Sequence, residues 1–226
     1  RGIAFVGPEE GDMACGEYGM GRMSEPESIF AAALQALQNE TAKPLSGKTA
    51  IVTAGPTHEA IDPVRFIGNY SSGKQGYAIA CALRNAGADV TLISGPTALP
   101  QPQGLNFIAV QTADEMLTAT QSALPADIGI FTAAVADWKV STAKNKIKKT
   151  GKIPTLELTE NPDILKTIAT GKNRPALVIG FAAETDHVIK NAKEKLLKKG
   201  CDWVVANEIS SSNLAFGKDQ NKISLI

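Results

Sequence analysis

The side chains best suited to chemistry here are an amide, several lysines and an aspartate, set among glycines and alanines. The stretch "GNYSSGKQG", Gly68 to Gly76, carries the G-x-x-x-x-G-K spacing of a phosphate-binding loop. Such a loop needs Ser or Thr next to hold Mg²⁺, and Gln75 stands there instead. It also follows its strand directly, whereas about a dozen residues separate this stretch from the strand "KTAIVTAG". A P-loop is therefore excluded. Gly73 and Gly76 still lie where the chain enters the helix "YAIACAL". Their amides either bind an anion at the helix's positive end or form a tight turn that packs helix on strand.

Other candidates are Asp137, the lysines at 144, 146, 148 and 149, Phe181, and Lys195 with Lys199. Asp137 ends "TAAVAD", where small residues let backbone approach a ligand; the plainer reading is a helix-packing alanine run with a turn aspartate. Lys146 and Lys148 would share one face of a strand and face phosphates, although a lysine run is more often a solvated face. Lys195 and Lys199 are four apart and adjacent on a helix, near a C-terminal end that also suits cations electrostatically. His58 and His187 are isolated, and no G-x-S-x-G, Cys/His pair or H-E-x-x-H occurs. This set suits an enzyme that positions charged substrates, not one that attacks them covalently.

The elements that must position these residues alternate. "KTAIVTAG", "ADVTLISG", "NFIAV", "DIGIFTAAVAD", "ALVIGFAAET" and "CDWVVAN" read as buried strands, and "YAIACALRNAG", "TADEMLTATQSAL" (capped by Thr112) and "HVIKNAKEKLLKKG" as helices between them. The expected fold is α/β, a Rossmann-like doubly wound, mostly parallel sheet with helices on both faces. "KNKIKKTGKIPTLELTENPDIL" breaks the rhythm and predicts an inserted β-hairpin and a short helix. Residues 1 to about 25 show no period and read as a loop or flap, followed by the helix "EPESIFAAALQALQNE". The boundary is expected at "TAKPLSG", dividing 1–44 from 45–226.

Lys plus Arg and Asp plus Glu are each 23, so nothing electrostatic favours nucleic acid. No apolar run is long enough for a membrane span. Three scattered cysteines, Cys15, Cys81 and Cys201, argue for a reducing, cytoplasmic setting with neither a disulfide framework nor a zinc site. Arg1 in place of an initiator Met and the strand-like ending "NKISLI" lead to the expectation of a piece of a longer protein.

Five motifs in order, "TAGPTHEAIDPVRFIGNYSSGKQGYAIA", "TAAVADW", "KIKK", "NPDIL" and "GFAAET", resemble phosphopantothenoylcysteine synthetase, the second domain of the bacterial bifunctional coenzyme A biosynthesis flavoprotein. "MACGEYGMGRM" is similar to the C-terminal flap of the first domain, a decarboxylase whose flap Cys, here Cys15, is the proton donor. The flavin-binding body, and with it FMN and decarboxylation, is not expected in this chain. The resemblance implies a ligase with CTP and Mg²⁺: the carboxylate of 4′-phosphopantothenate attacks the α-phosphate of CTP, then cysteine displaces CMP. It implies that Asn69 contacts the acyl-phosphate intermediate with support from Arg65, and that Lys146 serves the α-phosphate. Ala133, Ala134 and Asp137 would line the nucleotide and intermediate pocket, Pro162, Asp163, Ile164, Leu165 and Phe181 would hold the cytidine end, and Lys195 and Lys199 would take the triphosphate tail. Gly73 is expected to receive phosphopantothenate. A homodimer is implied, with the hairpin reaching the partner, and neither nucleic acid nor membrane is involved. The choice of CTP over ATP rests on the resemblance alone.

Two other readings share the fold. A nicotinamide-dependent oxidoreductase would need G-x-G-x-x-G after the first strand, where "AGPTHE" stands. A non-enzymatic dimerisation or regulatory domain would bind a nucleotide without turnover.

Overall fold

The computed structural model describes residues 5–12, 16–41, 43–151, 153–208 and 223–226. Cys15 lies outside the described residues. The chain divides into two compact units, Arg1–Pro44 and Leu45–Ile226. In the first, β1 (Glu9–Asp12) pairs antiparallel with β2 (Tyr18–Arg22), and α1 (Pro26–Thr41) follows. The sequence predicts a loop in place of that hairpin. Tyr18 and Met20 are exposed, so the pairing rests on backbone hydrogen bonds and leaves no apolar period to detect. Pro26 at the first helical position and Glu27 in the first turn begin α1 as a helix N-terminus should.

The second unit runs β3 (Thr49–Ala54), β4 (His58–Asp62), β5 (Arg65–Gly68), α2 (Lys74–Asn85), β6 (Asp89–Ser94), β7 (Asn106–Ala109) and α3 (Ala113–Ser122). Then come β8 (Ile128–Phe131), β9 (Trp138–Lys139), β10 (Thr159–Glu160), α4 (Ile164–Ala169), β11 (Leu177–Glu184), α5 (Val188–Lys199), β12 (Trp203–Glu208) and β13 (Ile223–Leu225). Seven strands form one sheet in the order β7-β6-β3-β8-β11-β12-β13, parallel except for β13. The chain steps outward from β3 to β7, returns to β8 beside β3, and steps outward the other way. This is the expected doubly wound fold, with its switch point between the carboxyl ends of β3 and β8.

Both faces of the sheet are buried, which is why its strands are continuously apolar. Ile51, Ile93, Val178 and Val204 pack with Met116 of α3, Ile164 and Leu165 of α4, and Ala192 of α5. Their strand neighbours Val52, Leu92, Ile130 and Ile179 point the other way and pack with Tyr77 and Ala80 of α2. Thr112 and Glu115 complete a capping box on α3, as the sequence predicts for Thr112. At the amino ends of the strands, carboxylates staple the sheet: Asp127 accepts from Thr49 N–H at 2.9 Å, and Asp202 from Val178 N–H at 2.7 Å.

The glycines entering α2 have packing reasons. Gly73 is left-handed at φ 74°. A Cβ on Gly76 would lie 2.6 Å from Ala54 Cβ and 2.4 Å from Thr132 Oγ1, so α2 sits directly on β3 only because Gly76 lacks one. Gly76→Ala is expected to destabilise the fold by about 1–3 kcal/mol through overpacking. A lowered urea midpoint at unchanged slope is the expected reading; an unchanged midpoint would mean that the helix shifts without cost.

Candidate active site

A cavity of about 460 Å³ opens at the carboxyl end of β8, between the segment that follows that strand, the start of α4 and one face of α5. β8 stops at Phe131, so "TAAVAD", expected to continue the strand, is irregular backbone along the cavity wall. Many of its backbone polar groups are nevertheless engaged. Ala134 N–H donates to Gly55 O at 2.9 Å and Ala134 O accepts from Thr57 N–H at 3.3 Å. Ala136 N–H donates to the fully buried Thr57 Oγ1 at 2.9 Å. Asn69 Nδ2 donates to Val135 O at 2.9 Å, Asn161 Nδ2 to Ala136 O at 2.8 Å, and Asn161 N–H to Asp137 O at 2.9 Å. A loop whose backbone is held from three sides keeps its shape without belonging to a strand.

The cavity brings together most of the residues singled out in the sequence: Ala133 and Asp137 from this loop, Pro162 through Leu165 at the start of α4, Phe181 from β11, and Lys195 and Lys199 from α5. The two lysines are engaged. Lys195 Nζ donates to Phe181 O at 2.6 Å, and Lys199 pairs with Asp163. Burial, reinforced by the neighbouring Lys199 charge, lowers the Lys195 pKa from its ordinary value, so its proton is lost at lower pH than that of an exposed lysine. Burial pushes the Asp163 carboxyl up, but hydrogen bonds from Lys199 and the Lys166 N–H outweigh it and hold the group below the usual carboxylate range. Asp163 also caps α4 through that N–H at 3.0 Å. The arrangement therefore offers cationic and amide donors against one apolar wall formed by Ile164, Leu165 and Phe181.

Five candidates lie outside the cavity lining. Asn69 reaches it only through the loop it braces, Ala134 belongs to that loop, Gly73 is the N-cap of α2, and Arg65 and Lys146 are exposed. Lys146 and Lys148 do not occupy a strand. The insertion closes by two residue pairs, Trp138 with Glu160 and Lys139 with Thr159, and the lysines fall beyond them. Alternation therefore does not decide which of the two faces a ligand, because no ladder of hydrogen bonds imposes a period of two.

Sequence reasoning missed Asn161, Thr57 and Asp62. Asn161 opens the recognised "NPDIL" but was not singled out, because its role in tying α4's approach to the loop is tertiary. The β4–β5 hairpin was also missed, although Pro63 in "DPVR" is a turn signal. Asp62 closes that turn, accepting from Val64 N–H at 2.9 Å and Arg65 Nε at 3.0 Å. The Arg65 guanidinium beside it, with the Ile147 and Val64 amides, holds the Asp62 carboxyl far below the usual range.

Residues 45–226 match the family described as the DNA/pantothenate metabolism flavoprotein C-terminal domain. The chain is 46% identical over 227 residues to the coenzyme A biosynthesis bifunctional protein CoaBC of Haemophilus influenzae, covering all of this chain and 56% of that protein. It is 47% identical to the Bacillus subtilis protein of the same name, covering 99% of this chain and again 56% of the relative. The chain thus spans little more than half the length of these curated relatives. The crystal structure of the C-terminal domain of a CoaBC protein superimposes with a TM-score of 0.66 at 39% identity, covering 82% of this chain and 88% of that one.

Proposed function

The chain belongs to the DNA/pantothenate metabolism flavoprotein C-terminal domain family, and on that premise we propose that it ligates 4′-phosphopantothenate to cysteine in coenzyme A biosynthesis, using CTP. The phosphopantothenate carboxylate oxygen forms a bond to the α-phosphorus of CTP and pyrophosphate leaves. The cysteine amine then forms a bond to the activated acyl carbon, loses its proton and expels CMP. Neither step requires a covalent bond to the protein.

The observation that carries this reading is the cavity itself. It sets Lys195 and Lys199 beside an apolar wall suited to a base, and it is bounded by a loop whose Val135 carbonyl is held by Asn69. Ala133, Asp137 and the 162–165 segment would hold the nucleotide, with the two lysines on its phosphate tail. Asn69, Ala134 and Gly73 would receive the phosphopantothenyl part. A triphosphate would draw Lys195 and Lys199 from Phe181 O and Asp163, exchanging protein partners for charge-assisted ones. Mg²⁺ rides on the triphosphate in this reading, as it commonly does with nucleotide substrates. Asp137, Glu160 and Asp163 are the carboxylates lining the cavity, and among the described residues no three His, Cys, Asp or Glu come together as a metal group.

In the same reading residues 1–44 are the flap and last helix of a decarboxylase domain, with Cys15 its proton donor. FMN belongs to the remainder of that domain. Exposed Phe66, Tyr70 and Ile153 support a homodimer formed by the ligase domain, and the setting is cytoplasmic.

The test is pyrophosphate release by this chain with phosphopantothenate, Mg²⁺ and either CTP or ATP, with and without cysteine. Release with CTP, and CMP formation quickened by cysteine, is the expected result. Binding of CTP with no release of either product would replace the ligase by a nucleotide-binding domain.

A further inference from the structure

Asp62 is buried, with its side chain fully shielded from solvent, and it does more than close a turn. An Asx turn needs one carboxylate oxygen, and Oδ1 supplies it to Val64. Oδ2 accepts from Arg65 and also from Ile147 N–H at 3.0 Å, 85 residues on. Arg65 Nη2 donates in turn to Ile147 O at 2.8 Å, so both polar groups of this one peptide residue are gripped. Two further bonds dock the same segment on β4: Thr142 Oγ1 to Ala60 O, and Ala143 N–H to Ile61 O, each 2.9 Å. Residues 144–146 thus bridge two anchors supplied by three consecutive residues of β4. Lys146 sits immediately before the second anchor and Lys148 immediately after it, both side chains exposed.

A solvated lysine run needs no buried carboxylate to hold its backbone. We propose that Asp62 is a positioning residue for the ligase reaction: with Arg65 it fixes Ile147 so that Lys146 is presented to the α-phosphate at one place, not on a free loop. This rests on the reading that gives Lys146 that phosphate. Arg65 then acts at least in part through Ile147, since two of its donors are committed to Asp62 and that carbonyl.

Asp62→Asn keeps the size and the Asx acceptor but turns an amide N–H₂ toward Arg65 and Ile147 N–H. In limited trypsin digestion of the whole chain, cleavage after Lys146 and Lys148 should quicken by about tenfold or more, with cleavage elsewhere unchanged, because only the docked segment opens. Pyrophosphate release should fall roughly tenfold to a hundredfold, and Asp62→Asn should add little to Lys146→Gln in the double variant, as two residues acting through one contact do. Ile147→Pro deletes the same N–H from the loop side and reads the clamp should Asp62→Asn not fold, its cleavage followed after Lys148 alone because trypsin does not cut a Lys–Pro bond. Unchanged cleavage in these variants overturns the proposal. So does faster cleavage with normal pyrophosphate release, or a loss that multiplies fully with that of Lys146→Gln. If Lys146→Gln itself releases pyrophosphate normally, the phosphate role of Lys146 fails and takes the proposal with it, whereas the trypsin result still reports the clamp.

Discussion

An Asn69→Asp variant should release pyrophosphate at close to the normal rate and then stall, with CMP and amide formation slowed by about 10²–10³-fold, the usual cost of removing one donor from a developing oxyanion. Asn69 lies in the loop after β5, and its Nδ2 donates to Val135 O at 2.9 Å. An amide has a second N–H and an acceptor oxygen to spare, so in the proposed reaction one side chain can brace the loop and also serve an intermediate. A carboxylate has no N–H at all. It would set two electronegative oxygens against each other at Val135 and a negative charge near the acyl-phosphate. The structural part of the loss is bounded: an unpaired carbonyl costs about 1–3 kcal/mol. A residue that merely braced the wall would slow both half-reactions alike, because in the proposed reaction both use the cavity. Quantifying acyl-cytidylate, CMP and product in a single turnover separates the cases. Normal amide formation by Asn69→Asp would remove Asn69 from the second step.

That the fold was legible and parts of the site were not follows from what each depends on. The strands β3, β6 and β11 are buried on two faces, and burial on both sides writes itself as an unbroken apolar run. The capping box at Thr112 and Glu115 is equally local. The wall of the cavity is different. The sequence reads "TAAVAD" as more strand because alanines and valine are neutral to the question; the strand ends because Thr57, Asn69 and Asn161 supply partners that replace the ladder. Those partners come from three places in the chain, and no spacing joins them. The lysine segment was misread for the same reason in reverse. Its alternation suggested a strand, but the insertion pairs over two residues only, and its anchors are a buried carboxylate and a guanidinium far upstream. Asp62 itself looked like half of an ordinary Asp-Pro turn, and nothing in "IDPVR" shows a second carboxylate oxygen reaching to Ile147.

Lys146→Gln should carry the other large effect, and on the opposite half-reaction. Pyrophosphate release is expected to fall by about 10²–10³-fold, while amide formation from supplied acyl-cytidylate is spared. The reasoning is electrostatic. Attack on the α-phosphate gathers charge there and on the leaving pyrophosphate, and a point cation held against them is worth most in that step. Gln keeps the reach of a hydrogen-bond donor without the charge. The thermal midpoint should not move, because the side chain is exposed and no packing is lost with it. Lys148→Gln is the necessary companion. With no strand to alternate along, Lys146 and Lys148 differ only in lying before and after the residue gripped by Asp62 and Arg65. In the proposed reaction that one anchor fixes the backbone beside both lysines, and the paired variants show which of them serves the phosphate. Loss of pyrophosphate release in Lys148→Gln with Lys146→Gln intact would move the role by two residues. The proposal that Asp62 positions Lys146 would then fall, and only the clamp itself, as trypsin reads it, would remain.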